Sequence, residues 1–306
     1  MPPGEGLTRV TSAVPARRWR KLGILAGGGA LPASLARACQ AADAPFAVLR
    51  LSGFAGEEIA PYGGEEVGLG EVGRVVRLLR AADCDAVVMA GTVRRPNFAS
   101  LTPDWRGAAL LPKVVAAARR GDGALLDVLV RTFEDEGFLV VGAEEVAGAL
   151  AAEGGPIGRH APDARARADM AKAAAIVAAL GPFDVGQGAV VRAGHVLAIE
   201  AAEGTDAMLD RVAGLPAEMM GDEPGDEPSE ATARGVLLKR PKPGQELRVD
   251  LPTIGVETVR RAGAARLAGI AVEAGAALVL DREAVVRAAD EAGLFVYGFA
   301  ATEFEA

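Results

Sequence analysis

The first half of the chain alternates short apolar runs with helical repeats, and that alternation leaves few folds open. LGILAG (22–27), FAVLRL (46–51), AVVMAGTV (86–93) and FLVVGAEEV (138–146) read as buried strands, apolar on both faces. Between them a helix is expected from Pro32 to about Ala42. EVGRVVRLLRAA (71–82) sets Val72, Val75, Val76 and Leu79 at helical spacing, and LLPKVVAAARR and ALLDVLVRTFEDEG read as two further helices. Strand–helix alternation of this kind specifies a doubly wound, Rossmann-like parallel sheet.

The second half is less regular. A helix over about 163–180 is stopped by Gly181-Pro182, and AVVRAGHVLAIEA (189–201) breaks at Ala193-Gly194 as a β-hairpin. TDAMLDRVAGL (205–215) reads as a helix capped by Thr205 or Asp206, GVLLKRP (235–241) as a strand, and a helix is expected to begin near Pro252. A helix from Arg282 to Ala292 and the strand LFVYGFA (294–300) follow. The expected organisation is a disordered extension (1–20), a Rossmann-like domain (21–150), a linker (151–162, AAEGGPIGRHAP) and a C-terminal mixed α/β domain (163–306) that carries the catalytic chemistry. GDEPGDEPSE (221–230) reads as a solvated loop with no chemistry of its own.

Composition removes several function classes. No apolar run reaches the roughly 18–20 uncharged residues that span a bilayer. Lys plus Arg number 33 against 41 Asp plus Glu, a net charge of −8, and no basic–aromatic interleaving suggests a nucleic-acid partner. Cys39 and Cys84 are the only cysteines, and His160 and His195 the only histidines, so disulfide frameworks and Cys- or His-rich metal sites are excluded. Any metal must be held mostly by oxygen, as magnesium, calcium and manganese are. Residues 1–20 lack the apolar core of a secretion signal, and a cytoplasmic protein is expected.

Candidate chemistry gathers at strand ends. Gly27-Gly28-Gly29 sits where the first strand hands over to a helix, a place where backbone N–H groups can meet a phosphate; a tight turn needing small residues is the other reading. The loop lacks the G-x-G-x-x-G pattern, and Arg50 occupies the region of a ribose-binding acid, which weakens NAD binding. Thr92, Arg94 and Arg95 end another strand and suit a phosphate, as does Lys113 less strongly. In the second half, Asp184 to Gly188, Glu200 to Asp206, Lys239 to Lys242 and Arg248 to Gly255 mix carboxylates, amides and cations. Carboxylates that hold Mg²⁺ beside lysines that neutralise phosphate oxygens are what phosphoryl chemistry needs. Asp250 or Thr253 could instead simply cap the helix expected near Pro252. The residues alone describe a two-domain α/β protein that handles a phosphorylated ligand, with Mg²⁺ as a candidate cofactor.

Taken in order, LGILAGGGALP (22–32), AGTVRRPNF (90–98), DVGQGAVV (184–191), EAAEGTDAML (200–209), KRPKPGQELRVDLPTIGVETV (239–259) and EAGLFVYG (291–298) resemble one family. It is the LpxI form of the UDP-2,3-diacylglucosamine pyrophosphatases of lipid A biosynthesis, and the resemblance runs from about Lys21 to Phe299. It implies Mg²⁺-dependent hydrolysis of UDP-2,3-diacylglucosamine to 2,3-diacylglucosamine 1-phosphate (lipid X) and UMP, with water attacking the α-phosphorus. It also implies two domains that hold the lipid between them and a required aspartate in the VDLP segment, here Asp250. With that substrate, Gly27, Gly28, Gly29, Thr92, Arg94, Arg95, Gln187, Gly188, Thr205, Lys239, Lys242 and Thr253 are expected to bind it. Asp250 is expected as general base or Mg²⁺ ligand, with Glu200, Glu203 and Asp206 as supporting acids. The chain departs from the family at Gly123, where a second acid is usual after Asp122, and at Thr92, where Asn is common. Two other readings compete: an NAD(P)-dependent nucleotide-sugar oxidoreductase, and a lipid-nucleotide binding protein without catalysis. A bilayer-resident substrate implies transient peripheral contact with the cytoplasmic face of the inner membrane, to which the acidic charge lends no attraction. A homodimer is compatible with the sequence.

Overall fold

A computed structural model describes residues 17–216, 219 and 235–304. Residues 1–16 of the expected extension and the GDEPGDEPSE loop lie outside the described residues. The first sheet holds β1 (Leu22–Ala26), β2 (Phe46–Leu51), β3 (Glu65–Val67), β4 (Ala86–Ala90) and β5 (Leu139–Val140). Its order is β3-β2-β1-β4-β5 with every pair parallel, the doubly wound arrangement expected. Successive strand residues point to opposite faces. Ile24, Val48 and Val88 therefore pack with Leu35 and Cys39 of α1 (Leu31–Ala41). Leu25, Leu49 and Val87 pack on the other face with Val75, Val76 and Leu79 of α2 (Val72–Ala81).

Three expectations change here. β5 is only two residues long, because Gly142 opens α5 (Ala143–Val146) and Glu145 accepts the Gly142 N–H at 3.2 Å. β3 escapes the periodicity because two of its three residues are exposed glutamates. Residues 17–20 are not a loose extension: Trp19 is buried in the first core, and Asp85 accepts the backbone N–H groups of Arg20 and Lys21. After β4 the chain forms the helical hairpin α3 (Trp105–Ala118) and α4 (Asp122–Asp135). Lys113 lies within α3.

The second sheet is mixed, in the order β6-β13-β11-β9-β7-β8. Its centre is a parallel trio, β9 (Val236–Lys239), β11 (Gly269–Glu273) and β13 (Phe295–Phe299). The expected hairpin forms one flank as β7 (Gly188–Arg192) and β8 (His195–Ile199). Helices α6 (Ala164–Leu180), α7 (Gly204–Ala213), α8 (Val256–Ala264) and α9 (Arg282–Glu291) surround it, and a small parallel pair, β10 (Thr253–Ile254) with β12 (Leu278–Val279), stands apart. The expected caps are absent. α7 opens at Gly204 with no side-chain cap, and α8 opens at Val256, its Gly255 N–H bonded to Thr258 Oγ1 at 3.3 Å. Asp250 and Thr253 are therefore free of that structural duty.

Residues 151–162 are stitched into this second sheet and do not hang as a free linker. β6 (Gly155–Pro156) runs antiparallel along β13, the Ala152 N–H donates to Ala277 and the Ile157 N–H to Val296. Contact is so close at Gly298 that a Cβ there would lie 1.8 Å from the Glu153 carbonyl oxygen. Backbone cannot yield as a side chain can, so Gly298→Ala should cost about 1–3 kcal/mol by overpacking. Thermal melting measures this; an unchanged midpoint would show the segment to be only loosely attached.

Candidate active site

The richest polar cluster follows β9. Lys239 ends that strand, and Lys242-Pro243-Gly244-Gln245 makes a tight turn, with the Gln245 N–H on the Lys242 carbonyl at 3.1 Å. Pro and Gly occupy the central positions, and Gly244 has the positive φ (77°) that a type II turn asks of its third residue. The turn aims Gln245 at Asp250. Gln245 Oε1 accepts the Lys242 N–H at 2.7 Å, while its Nε2 donates to Asp250 Oδ2 at 2.5 Å and to the Asp250 carbonyl. Among the described residues no partner meets Asp250 Oδ1. Burial pushes the Asp250 carboxyl above the usual aspartate range; Lys242, the Gln245 bond and Lys239 pull it back, and Asp184 adds to the rise. A carboxylate still raised beside two lysines is under-compensated, the condition under which it gains most from a further cation or a proton.

Asp184 joins this cluster to the first domain. It sits in the left-handed region (φ 57°) before β7 and accepts the N–H groups of Asp122 and Gly123, at 2.7 and 3.4 Å, at the exposed start of α4. Helix N-termini have unpaired donors and a favourable field for an anion. Its other oxygen pairs with Lys242. Burial alone would raise the Asp184 carboxyl, but the Lys242 bond and charge and the two N–H groups hold it below its ordinary value. The residues around Asp250 also dock on the first domain. Val249 packs against the Leu25–Leu49–Val87 face, Leu251 against the Ile24–Val48–Val88 face, and Arg248 bonds Glu134 of α4 at 2.8 Å. Asp250 thus stands where the two domains meet.

The first sheet's own candidates are placed less favourably for an anion. The Gly27 and Gly28 N–H groups donate to the Ala90 and Thr92 carbonyls at 2.8 and 2.9 Å, and Thr92 returns the second bond to Gly28. These glycines serve as a close-packed turn: a Cβ on Gly91, itself at φ 92°, would lie 2.4 Å from the Gly28 oxygen. Gly29, at φ 80°, faces open space. Arg94 is exposed, and Arg95 is spent on the Ala118 carbonyl.

The four expected metal acids do not converge. Glu203 pairs with Arg211 at 2.8 Å and Asp206 with Arg261 at 3.8 Å, both on the surface of α7. Glu200 is buried and bonded to Thr205 at 2.9 Å. Among the described residues no group of three acidic, histidine or cysteine side chains could hold a metal ion. Gln187 and Gly188 line the Glu200–Gln245 side: Gln187 Oε1 lies 3.5 Å from Gln245, and Gly188 leaves room for the Glu200 carboxylate. Thr253 contributes its carbonyl, which accepts from Lys239 at 3.3 Å. Gln245 was missed from sequence, although the Pro-Gly turn before it and the acid five residues on were a usable signal.

A Rossmann-like domain and a mixed α/β domain, meeting around one under-compensated aspartate and two lysines, define a two-domain α/β protein with an acid–lysine site at its domain junction. Residues 21–150 match the LpxI N-terminal domain and 153–297 the LpxI C-terminal domain, and the chain belongs to the LpxI family. It is similar to the UDP-2,3-diacylglucosamine pyrophosphatase LpxI of Caulobacter vibrioides, 52% identical over 280 residues that cover 91% of this chain and 97% of that protein.

The pH dependence of stability tests the Asp184 tie. A carboxyl with a depressed folded pKa adds stability that is full above its unfolded pKa of about 3.9 and is lost as pH falls through the lower folded value. Asp184→Asn should lower stability at neutral pH by about 1 kcal/mol, as for a partly exposed charge-assisted bond. The deficit should close in acid. Melting curves from pH 7 to 3 check this, and a pH-independent deficit would contradict it.

Proposed function

We propose that this chain cleaves the diphosphate of UDP-2,3-diacylglucosamine, a step of lipid A synthesis, giving 2,3-diacylglucosamine 1-phosphate (lipid X) and UMP. The observation that carries this reading is Asp250, standing where the two domains meet, held by Gln245 through one oxygen and acted on by the charges of Lys239 and Lys242. Water attacks the α-phosphorus, its proton passes to Asp250 Oδ1, and the bridging oxygen leaves with the sugar-bound β-phosphate. Burial makes Asp250 a stronger base than a solvated aspartate. Lys239 and Lys242 stand near enough to neutralise charge that builds on the phosphate oxygens.

Mg²⁺ belongs to the proposal. It is usually held by one or two carboxylates plus substrate phosphates. Asp250 fits that demand only in place of its proton-accepting role, and the ion-paired Glu203 and Asp206 do not fit it. Bound there, the ion would neutralise diphosphate charge. For the acyl chains, α3 and α4 offer Leu110, Leu111, Val114, Leu125 and Leu126, half-exposed and outside every buried core cluster. The cleft of about 500 Å³ beside these helices is less suited, because Arg106, Lys113, Arg131, Asp135 and Glu136 line it together with Trp105, Leu110 and Val128. Among the described residues no helix is long and apolar enough to cross a membrane. Substrate uptake by transient contact with the cytoplasmic leaflet is part of the same reading.

Asp250→Asn should lower kcat by at least 10³-fold while substrate still binds within a fewfold. Near-normal turnover would remove Asp250 from the mechanism. Hydrolysis in ¹⁸O-water should label UMP; label in the sugar phosphate would move the attack to the β-phosphorus. Chelation should stop turnover and added Mg²⁺ restore it.

A further inference from the structure

Glu200 and Lys239 are both buried, 6% and 3% exposed, yet they do not touch in a direct ion pair. Thr205 stands between them. Lys239 Nζ donates to Thr205 Oγ1 at 2.7 Å, and the Thr205 hydroxyl donates to Glu200 Oε1 at 2.9 Å. A second Nζ donor goes to the Thr253 carbonyl at 3.3 Å. An ammonium has three donors, and among the described residues nothing takes the third.

The chain keeps this arrangement at a cost. Glu200 Oε2 is buried without a hydrogen-bond partner, which is destabilising for a carboxylate. The backbone makes way for it: a Cβ at Gly188 would lie 2.8 Å from Oε2, and one at Gly186, already at φ 52°, would lie 2.0 Å from the Glu200 carbonyl oxygen. The β7–β8 hairpin thus closes around one carboxylate whose single link leads, through a hydroxyl, to Lys239. Lys239 in turn is among the cations that act on Asp250.

We propose that Glu200 and Thr205 are positioning residues: a carboxylate–hydroxyl relay that fixes the Lys239 ammonium with its third N–H directed at a phosphate oxygen of the substrate. The inference rests on the hydrolytic reading above for the identity of that phosphate. It also gives Glu200 a role other than metal ligation. Charge on phosphate oxygens grows toward the transition state, so misplacing the ammonium affects turnover more than binding.

The full-length protein is assayed as wild type and as T205V, T205S, E200Q and K239M, with folding checked by circular dichroism. T205V should lower kcat about tenfold or more with KM within threefold, T205S should recover most of that loss, and T205V/K239M should be no slower than K239M. E200Q should lower kcat several-fold without moving the Mg²⁺ concentration for half-maximal rate. T205V within twofold of wild type, or fully additive losses, would overturn the relay. A tenfold shift in Mg²⁺ requirement for E200Q, with kcat restored at saturating Mg²⁺, would make Glu200 a metal ligand instead. Wild-type turnover in the same assay judges the hydrolytic reading separately. UDP affinity by calorimetry decides the relay if turnover is absent: the T205V/K239M double variant should bind UDP as K239M does, and additive losses of affinity would refute it.

Discussion

One polar chain joins the two domains to the chemistry. It starts at the unpaired N–H groups of α4, passes through Asp184 to Lys242, crosses the Pro-Gly turn to Gln245 and ends on Asp250 Oδ2. Each link is a charged or backbone group that would be costly to leave unmatched away from water. Separating the domains would strip Asp184 of its helix donors. The Asp184–Lys242 pair and the turn that aims Gln245 lie within the second domain and would stay, with Asp184 no longer fixed by the first. The site's side chains therefore belong to the second domain, and the first domain fixes them through Asp184 and the residues on either side of Asp250.

Much of this was legible in sequence where the cause is local. Strand runs of both-face apolar residues placed β1 and β2 to within a residue and the start of β4, which ends three residues early at Ala90, and Gly181-Pro182 ended α6 where expected. Asp250 stood out from its setting and from the family resemblance, and its competing role as a helix cap disappears because Gly255 takes that position. What was not legible depends on partners distant in the chain. Asp184 lies more than sixty residues from the amides it accepts. Glu203 and Asp206 look like metal acids in one dimension; Arg211 stands eight residues on from Glu203, but only the fold brings Arg261 against Asp206. Residues 151–162 have the composition of a linker because an edge strand of two residues leaves almost no pattern to detect.

The glycine loop makes the same point from the other side. Its residue types suit both a phosphate cradle and a close contact between two backbones. The reciprocal Gly28–Thr92 bonds decide for the second use, at the gap between β1 and β4 where open sheets usually admit a ligand. The second domain then supplies at that junction the charged groups that the first sheet's own loop does not present.

Lys239 and Lys242 differ in a way that bears on how such a site works. Lys242 is tied to Asp184 and so to the domain junction, whereas Lys239 is rooted within the second domain by Thr205 and Thr253. One cation is therefore linked through Asp184 to α4 of the first domain, and the other is held by second-domain residues. Water exclusion at the junction strengthens every charge interaction around Asp250. The under-compensated state of Asp250 follows from the same design: Lys242 is shared with Asp184, so part of its charge is already spent, and the aspartate retains the basicity that proton transfer from water requires.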